Sequence, residues 1–394
     1  MIPHHNLICS FKLRLQIFFT LFTLYCIFSL WGMSVENKIF TYISLFISFL
    51  IVIFALTQGI RSVSFFILFA AFFCLSSMAL FSNKTGEPVA ILINAYLFVF
   101  AMMISNIIYK LRLACRSSVI LFSTTHIYFF IFCIYKYKID RFINENTFNE
   151  LFWQSSRNIV SAILLLTTIF FLAVNYIEQK KIYLSVLFIN MISSILLYGR
   201  SGVVLSFIVL FIGIYLKFFK EEKNVIKIIL FLFFSILILV LILYTGFTDN
   251  MVSAILSHTN LQSGFDTPRI QMWYDYIVNF DYKILLLGTN FLFSPLITSF
   301  DGNPHNSFIM FQARFGIFAV LFLLSISYLY LKLFQNSLLL SLLLGLIFVR
   351  MFFDTFSLFG YFDFIWVYML IYLPRNNKKR SFYESDTYFD YSSI

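Results

Sequence analysis

Histidine is the one side chain whose ordinary pKa lets it take up a proton near neutrality, and His305 stands where such a base is useful. It follows Asp301-Gly302-Asn303-Pro304, strong turn chemistry, and precedes Asn306, a residue suited to capping a helix start. Arginine is the side chain that grips phosphate oxygens two at a time. Arg200 lies in Tyr198-Gly199-Arg200-Ser201-Gly202, a junction between two apolar blocks, where the glycines bring backbone close and leave room around a guanidinium. Arg269 follows Pro268 and opens a stretch in which Ile270, Trp273, Ile277 and Val278 recur at helical spacing. Arg314 falls roughly two to three turns into the apolar helix expected from Asn306 onward, and a charge that deep usually faces a cavity. A neutral histidine taking a proton from a hydroxyl, with guanidinium forks pairing a phosphate, is the chemistry these residues allow. Asn306 and Arg314 are its secondary substrate contacts.

Each of these residues also has a plainer reading. Arg200 can snorkel to the membrane surface, Arg269 can pair with Asp266 or Asp275, and a lone histidine is more often structural than catalytic. Arg350 and Asp354, four residues apart, read as a structural salt bridge near the outer interface. His258 reads as a solvated loop residue and His126 as a packed or hydrogen-bonded intramembrane group.

The elements that must position these groups are membrane helices. The chain is 61% hydrophobic and 12% charged, with mean hydropathy +0.89, and its apolar blocks have the length of about 20 residues that spans a bilayer core. An all-α, polytopic membrane domain over 1–374 is expected. Twelve spans can be placed, at about 15–33, 39–57, 63–81, 89–109, 117–135, 158–177, 182–199, 201–219, 226–246, 306–331, 337–353 and 355–373. The block from Leu15 follows Lys12 and Arg14 but has no small-residue cleavage site, so it reads as an uncleaved first helix. The basic residues sit at helix ends, and their excess on alternate connections puts both termini in the cytoplasm. The long polar loop, 247–305, then faces outward, carrying Asp249, Asp266, Asp275, Asp281 and Asp301 and one short amphipathic helix. Residues 375–394 read as a flexible cytoplasmic tail.

Net charge of +10 does not imply nucleic acid, because the charges flank helices and no binding motif accompanies them. The cysteines form no CxxC pair, so neither disulfide nor zinc is indicated. A DxD pair, a Walker loop, GxSxG and HExxH are all missing from the sequence, which argues against soluble nucleotide-sugar or ATP chemistry and implies no metal or other cofactor.

Over residues 182–331 the ordered motifs resemble the O-antigen polymerase and O-antigen ligase superfamily. They are Gly-Arg-Ser-Gly (199–202), Arg-x-x-x-Trp (Arg269, Trp273), Leu-Leu-Gly (286–288), Pro-His-Asn-Ser-Phe (304–308) and Phe-Gly-Ile-Phe (315–318). Two departures stand out: Gly288 is followed by Thr-Asn in place of a second glycine, and Arg314 stands where ligases often have an acid. The resemblance implies glycosyl transfer on the periplasmic face of a bacterial inner membrane. It assigns Arg200 and Arg269 to the diphosphate of an undecaprenyl-diphosphate-linked oligosaccharide and His305 to the acceptor hydroxyl. The attack would be direct, inverting and metal-independent. The expected partners are that lipid-linked glycan, membrane lipid, a chain-length regulator and a flippase. Polymerase is the favoured member. A ligase acting on lipid A-core is the alternative, and a transporter or flippase of lipid-linked oligosaccharide a second one, although no paired repeat of interrupted helices is visible.

Overall fold

In a computed structural model of the chain, the described residues are 4–57, 71, 73–74, 77, 88–140, 147–152, 156–197, 199–219, 268–358 and 360–374. Among them regular structure is entirely helical. The bundle begins with α1 (His4–Ser34), α2 (Ile39–Thr57), α3 (Pro88–Lys110), α4 (Ala114–Asp140), α5 (Arg157–Gln179), α6 (Leu184–Leu196) and α7 (Arg200–Phe219). After residues outside the described set come three short helices, α8 (Pro268–Val278), α9 (Tyr282–Leu287) and α10 (Pro295–Ser299). The chain returns to the bundle through α11 (Ser307–Phe315), α12 (Ile317–Asn336), α13 (Leu338–Phe353) and α14 (Phe364–Val367), the last continuing as a π-helical turn over Tyr368–Tyr372.

Among the described residues seven helices, α1 to α5, α7 and α12, are long and apolar enough to cross a membrane, while α6 and α13 are apolar but shorter. Helix α5 is the centre of the bundle: its side chains are buried continuously from Val160 to Ile177. The outer helices instead present rows of bare apolar side chains at helical spacing, such as Ile127, Ile131 and Ile134 on α4 and Leu321, Leu324, Tyr328 and Leu331 on α12. In water such rows would drive aggregation; against lipid tails they carry no penalty. Because lipid removes the hydrophobic drive between helices, packing relies on small and hydroxyl-bearing residues. Ser29 meets Ser44 at 2.7 Å between α1 and α2, Ser48 meets Tyr96 at 2.7 Å between α2 and α3, and Asn190 donates to Ser206 at 2.9 Å between α6 and α7.

Several sequence expectations need correcting. Among its described residues, 268–305, the long loop holds three short helices where one was expected, and they enclose a small core of their own: Met272, Tyr276, Phe291 and Ile297 pack on Met310 and Ala313 of α11. The expected span 306–331 is not one helix, because Gly316, at φ +54°, breaks it into α11 and α12. Arg314 therefore belongs to α11, the short helix under the loop, and does not lie within the long helix. The expected span 355–373 is helical only from Phe364. Before that the chain wraps around the Asp363 carboxylate, which accepts from the Ser357 hydroxyl, the Leu358 and Gly360 amides and the Trp366 indole. The expected spans 63–81 (but for residues 71, 73–74 and 77) and 226–246, and the tail 375–394, lie outside the described residues.

Two of the motif glycines meet at the seam between loop and bundle. Gly288, at φ +80°, approaches so closely that a Cβ there would fall 2.0 Å from the Ala313 carbonyl oxygen. A Cβ on Gly316 would fall 2.2 Å from the Leu286 carbonyl oxygen. The Thr289 amide donates to the Ala313 carbonyl at 2.8 Å, and the Gln312 carboxamide donates to the Ile284 carbonyl at 2.8 Å. The Leu-Leu-Gly and Phe-Gly-Ile-Phe segments are thus two sides of one backbone contact. Gly288→Ala adds both a clash with backbone and a disfavoured dihedral, so it is expected to destabilise the protein by more than about 1 kcal/mol. Thermal unfolding of the purified protein in detergent reads this; a wild-type melting temperature would mean the seam is looser than its geometry.

Candidate functional site

The N-termini of α5 and α7, the C-terminus of α13 and the loop around α8 all meet at one end of the bundle. Their meeting point is Asp354, which caps α13 in extended conformation and is 1% exposed. Its Oδ1 accepts from the Arg269 Nη2 at 3.3 Å. Its Oδ2 lies 3.2 Å from the Arg350 Nη1, yet that oxygen makes no hydrogen bond. The two statements are compatible: the distance makes an ion pair, but the alignment falls short of a hydrogen bond.

Arg350 is also 1% exposed. Its Nη1 donates to the Ser201 hydroxyl and its Nη2 to the Asn158 carbonyl at 2.6 Å. So Arg350 is more than half of a local salt bridge; it ties the starts of α5 and α7 to the end of α13. The i,i+4 pair expected from sequence is present, but the Arg269 partner is not the one expected. Asp275 is engaged by the Gln271 amide at 2.8 Å and the Ser294 hydroxyl at 2.7 Å, and Asp266 lies outside the described residues. Asp354, 85 residues along the chain from Arg269, takes that place.

His305 sits in the turn between α10 and α11 with φ +49°, a left-handed conformation uncommon for a side chain of its size. Local bonds hold it there. Its amide donates to the Asn303 Oδ1 at 2.9 Å, which also accepts from the Thr355 hydroxyl at 2.6 Å. The Trp273 indole, from α8, donates to the Pro304 carbonyl at 3.0 Å. Ser307 donates to the Asp354 carbonyl at 2.7 Å. The turn bearing the histidine is therefore fastened to the segment bearing the aspartate and to the helix bearing Arg269. The imidazole is half-buried, with its ring 5.4 Å from that of Phe300. Burial, and next the Arg269 charge, hold its pKa below the ordinary imidazole value, while Asp354 opposes them.

The remaining sequence candidates are placed as follows. Asn306 is buried and caps α11, its Oδ1 accepting from the Phe308 and Ile309 amides at 2.9 and 3.0 Å. Arg314 is half-buried on α11, seven residues and so roughly 10 Å along the helix from Ser307, on nearly the same face. Arg200 is the first residue of α7, and its neighbour Ser201 receives Arg350. The flanking glycines have a more structural task than opening a gap: a Cβ on Gly202 would fall 1.9 Å from the Ser161 hydroxyl of α5. They let α7 and α5 close on one another. His126 is buried with its Nδ1 3.0 Å from the Phe122 carbonyl, and His258 lies outside the described residues. Among the described residues no cluster of three His, Cys, Asp or Glu side chains could hold a metal ion.

Comparison with protein-family models, with characterised proteins and with solved structures finds no match. Among the described residues the fold and site define a class, a helical protein with helices long and apolar enough to cross a membrane and a charged centre of arginines, aspartate and histidine at one end.

Proposed function

We propose that this protein is a membrane glycosyltransferase that polymerises a surface glycan, taking its donor from undecaprenyl diphosphate. The observation that carries the reading is the charge balance around Asp354. Two guanidinium groups, those of Arg269 and Arg350, share one carboxylate, and Arg200 begins the helix whose next residue completes the network. Among the described residues positive charge is left over in a partly desolvated place, where an anion is bound far more strongly than in water. Beside it, burial and the Arg269 charge favour the neutral, proton-accepting form of His305.

In the reaction proposed, an acceptor sugar hydroxyl attacks the anomeric carbon of the donor. The bond from that carbon to the diphosphate oxygen breaks as the new glycosidic bond forms, with inversion at the carbon. His305 takes the hydroxyl proton, a role that contributes about 10²–10⁴-fold. Arg200 and Arg269 pair the charge that grows on the departing undecaprenyl diphosphate. The acceptor is another lipid-linked repeat unit.

Lipopolysaccharide from a deletion strain tests this reading. A single repeat unit on core is expected. No repeat on core, with lipid-linked polymer accumulating, would point to a ligase, and unchanged long-chain polymer would refute both.

The histidine also sets a pH dependence. A lowered imidazole pKa keeps the base form to lower pH, so the acid limb of the transfer rate should lie below about 6.5, the ordinary value. Removing Asp354's charge, by Asp354→Asn, removes the negative neighbour that raises the pKa and should move the limb lower still. Rates measured across pH on reconstituted protein read both effects; a limb above the ordinary value would contradict the assignment.

A further inference from the structure

If the reading above holds, guanidinium groups on two different segments must meet one diphosphate, and something must fix their spacing. Arg269 is on α8 and Arg200 on α7. One buried side chain connects them. Arg350 donates through Nη1 to Ser201, the residue after Arg200, and reaches 149 residues along the chain to do so. It stands against one oxygen of Asp354 while Arg269 holds the other. It is braced by the Asn158 carbonyl at 2.6 Å.

We propose that Arg350 is a positioning residue which, acting through Asp354, sets Arg269 at a fixed place relative to the α7 N-terminus that carries Arg200. This proposal rests on the anion-site reading and explains how that site is kept open. A two-pronged Arg269–Asp354 pair would satisfy the guanidinium and withdraw it from any substrate. What the structure holds is weaker: one Nη of Arg269 on one oxygen at 3.3 Å, with the Arg269 side chain still 21% exposed. Arg350 draws the other oxygen away, leaving that oxygen and its own Nε without hydrogen bonds. Its planar fork reaches Ser201 and Asn158 in different directions, which the compact ammonium of a lysine cannot do.

The test is the affinity of the purified full-length protein for inorganic pyrophosphate, alongside its melting temperature. Arg350→Lys should weaken binding by about tenfold or more, in keeping with the sensitivity of such sites to small displacements. Ser201→Ala, which removes one contact and no charge, should weaken it severalfold. Asp354→Asn is the sharpest arm. If Asp354 were only a counter-ion, losing its charge would tighten anion binding; a positioning role requires weaker binding. Introducing Arg350→Lys into Arg269→Lys should add little, because the first acts through the second.

Wild-type affinity in a folded Arg350→Lys protein, tighter binding in Asp354→Asn, or fully additive losses would each overturn the proposal. If Arg350→Lys does not fold, Ser201→Ala and Asp354→Asn decide by the same criteria. Wild-type protein that binds no pyrophosphate would overturn the anion site itself and the relay with it. Binding by a protein whose deletion leaves the glycan polymer intact would refute the polymerase reading alone, and the variants would still decide the relay.

Discussion

Replacing His305 by alanine is expected to abolish polymer formation while leaving the protein in the membrane at its normal level. The imidazole is the group that receives the acceptor's proton, and its removal forfeits about 10²–10⁴-fold in rate. Long-chain glycan would then fall below what a gel detects. The turn itself should survive, because its bonds come from neighbours: Asn303 holds the His305 amide, Trp273 the Pro304 carbonyl and Asn306 the start of α11. The left-handed backbone at His305 offers a second variant that separates chemistry from folding. Asparagine adopts that conformation more readily than most residues but has no basic nitrogen. His305→Asn should therefore be as well folded as the wild type and as inactive as the alanine variant. Polymer of normal length from it, with the protein at normal abundance, would sink the base assignment.

The second large effect is expected from Arg269→Lys. The charge is kept, so a role as a bare counter-ion for Asp354 would survive the change with little loss. A diphosphate clamp would not. Lysine brings a strongly hydrated point charge in place of a planar fork, and its shorter reach leaves it either on Asp354 or on the substrate, not on both. Losing one donor aimed at developing charge costs about 10²–10³-fold in kcat in comparable sites. The loss should appear mainly in kcat, since the leaving diphosphate carries more charge at the transition state than in the bound donor. Arg200→Lys should lose activity in the same direction. Near-normal kcat in Arg269→Lys would mean that Arg269 serves the fold.

Much of the scaffold is legible in the sequence because lipid imposes a simple rule: an apolar block of about twenty residues closes its own hydrogen bonds as a helix. Helix α2 falls on Ile39–Thr57, where hydropathy places it. Where the rule fails, a local cause can be named. The helix expected over 306–331 breaks at Gly316 because that glycine takes a backbone conformation few other residues tolerate, and hydropathy does not register dihedral angles. The expected helix over 355–373 starts late because Asp363 gathers four donors from its own neighbourhood.

The site shows the same division. His305 and Arg269 stood out through their local turn and helix chemistry. Asn306 announced its capping role by position. Asp354 did not stand out, because beside Arg350 it has the look of an ordinary i,i+4 pair, and nothing local reports that Arg269 reaches Asp354 from 85 residues away or that Arg350 reaches Ser201 across 149. The signal that was available is energetic. Two opposite charges at the end of an otherwise apolar helix seldom persist inside a membrane protein without a cavity or a partner to serve.

We propose that these residues transfer a glycan from a lipid diphosphate to a sugar hydroxyl. The most direct test is the purified protein in liposomes, supplied with undecaprenyl-diphosphate-linked repeat units and nothing else. Glycan chains longer than one repeat are expected, with one undecaprenyl diphosphate released for each linkage formed, and neither product from the His305→Asn protein. Wild-type protein that releases no undecaprenyl diphosphate and forms no linkage, although folded and in the same membrane as its donor, would contradict the proposal.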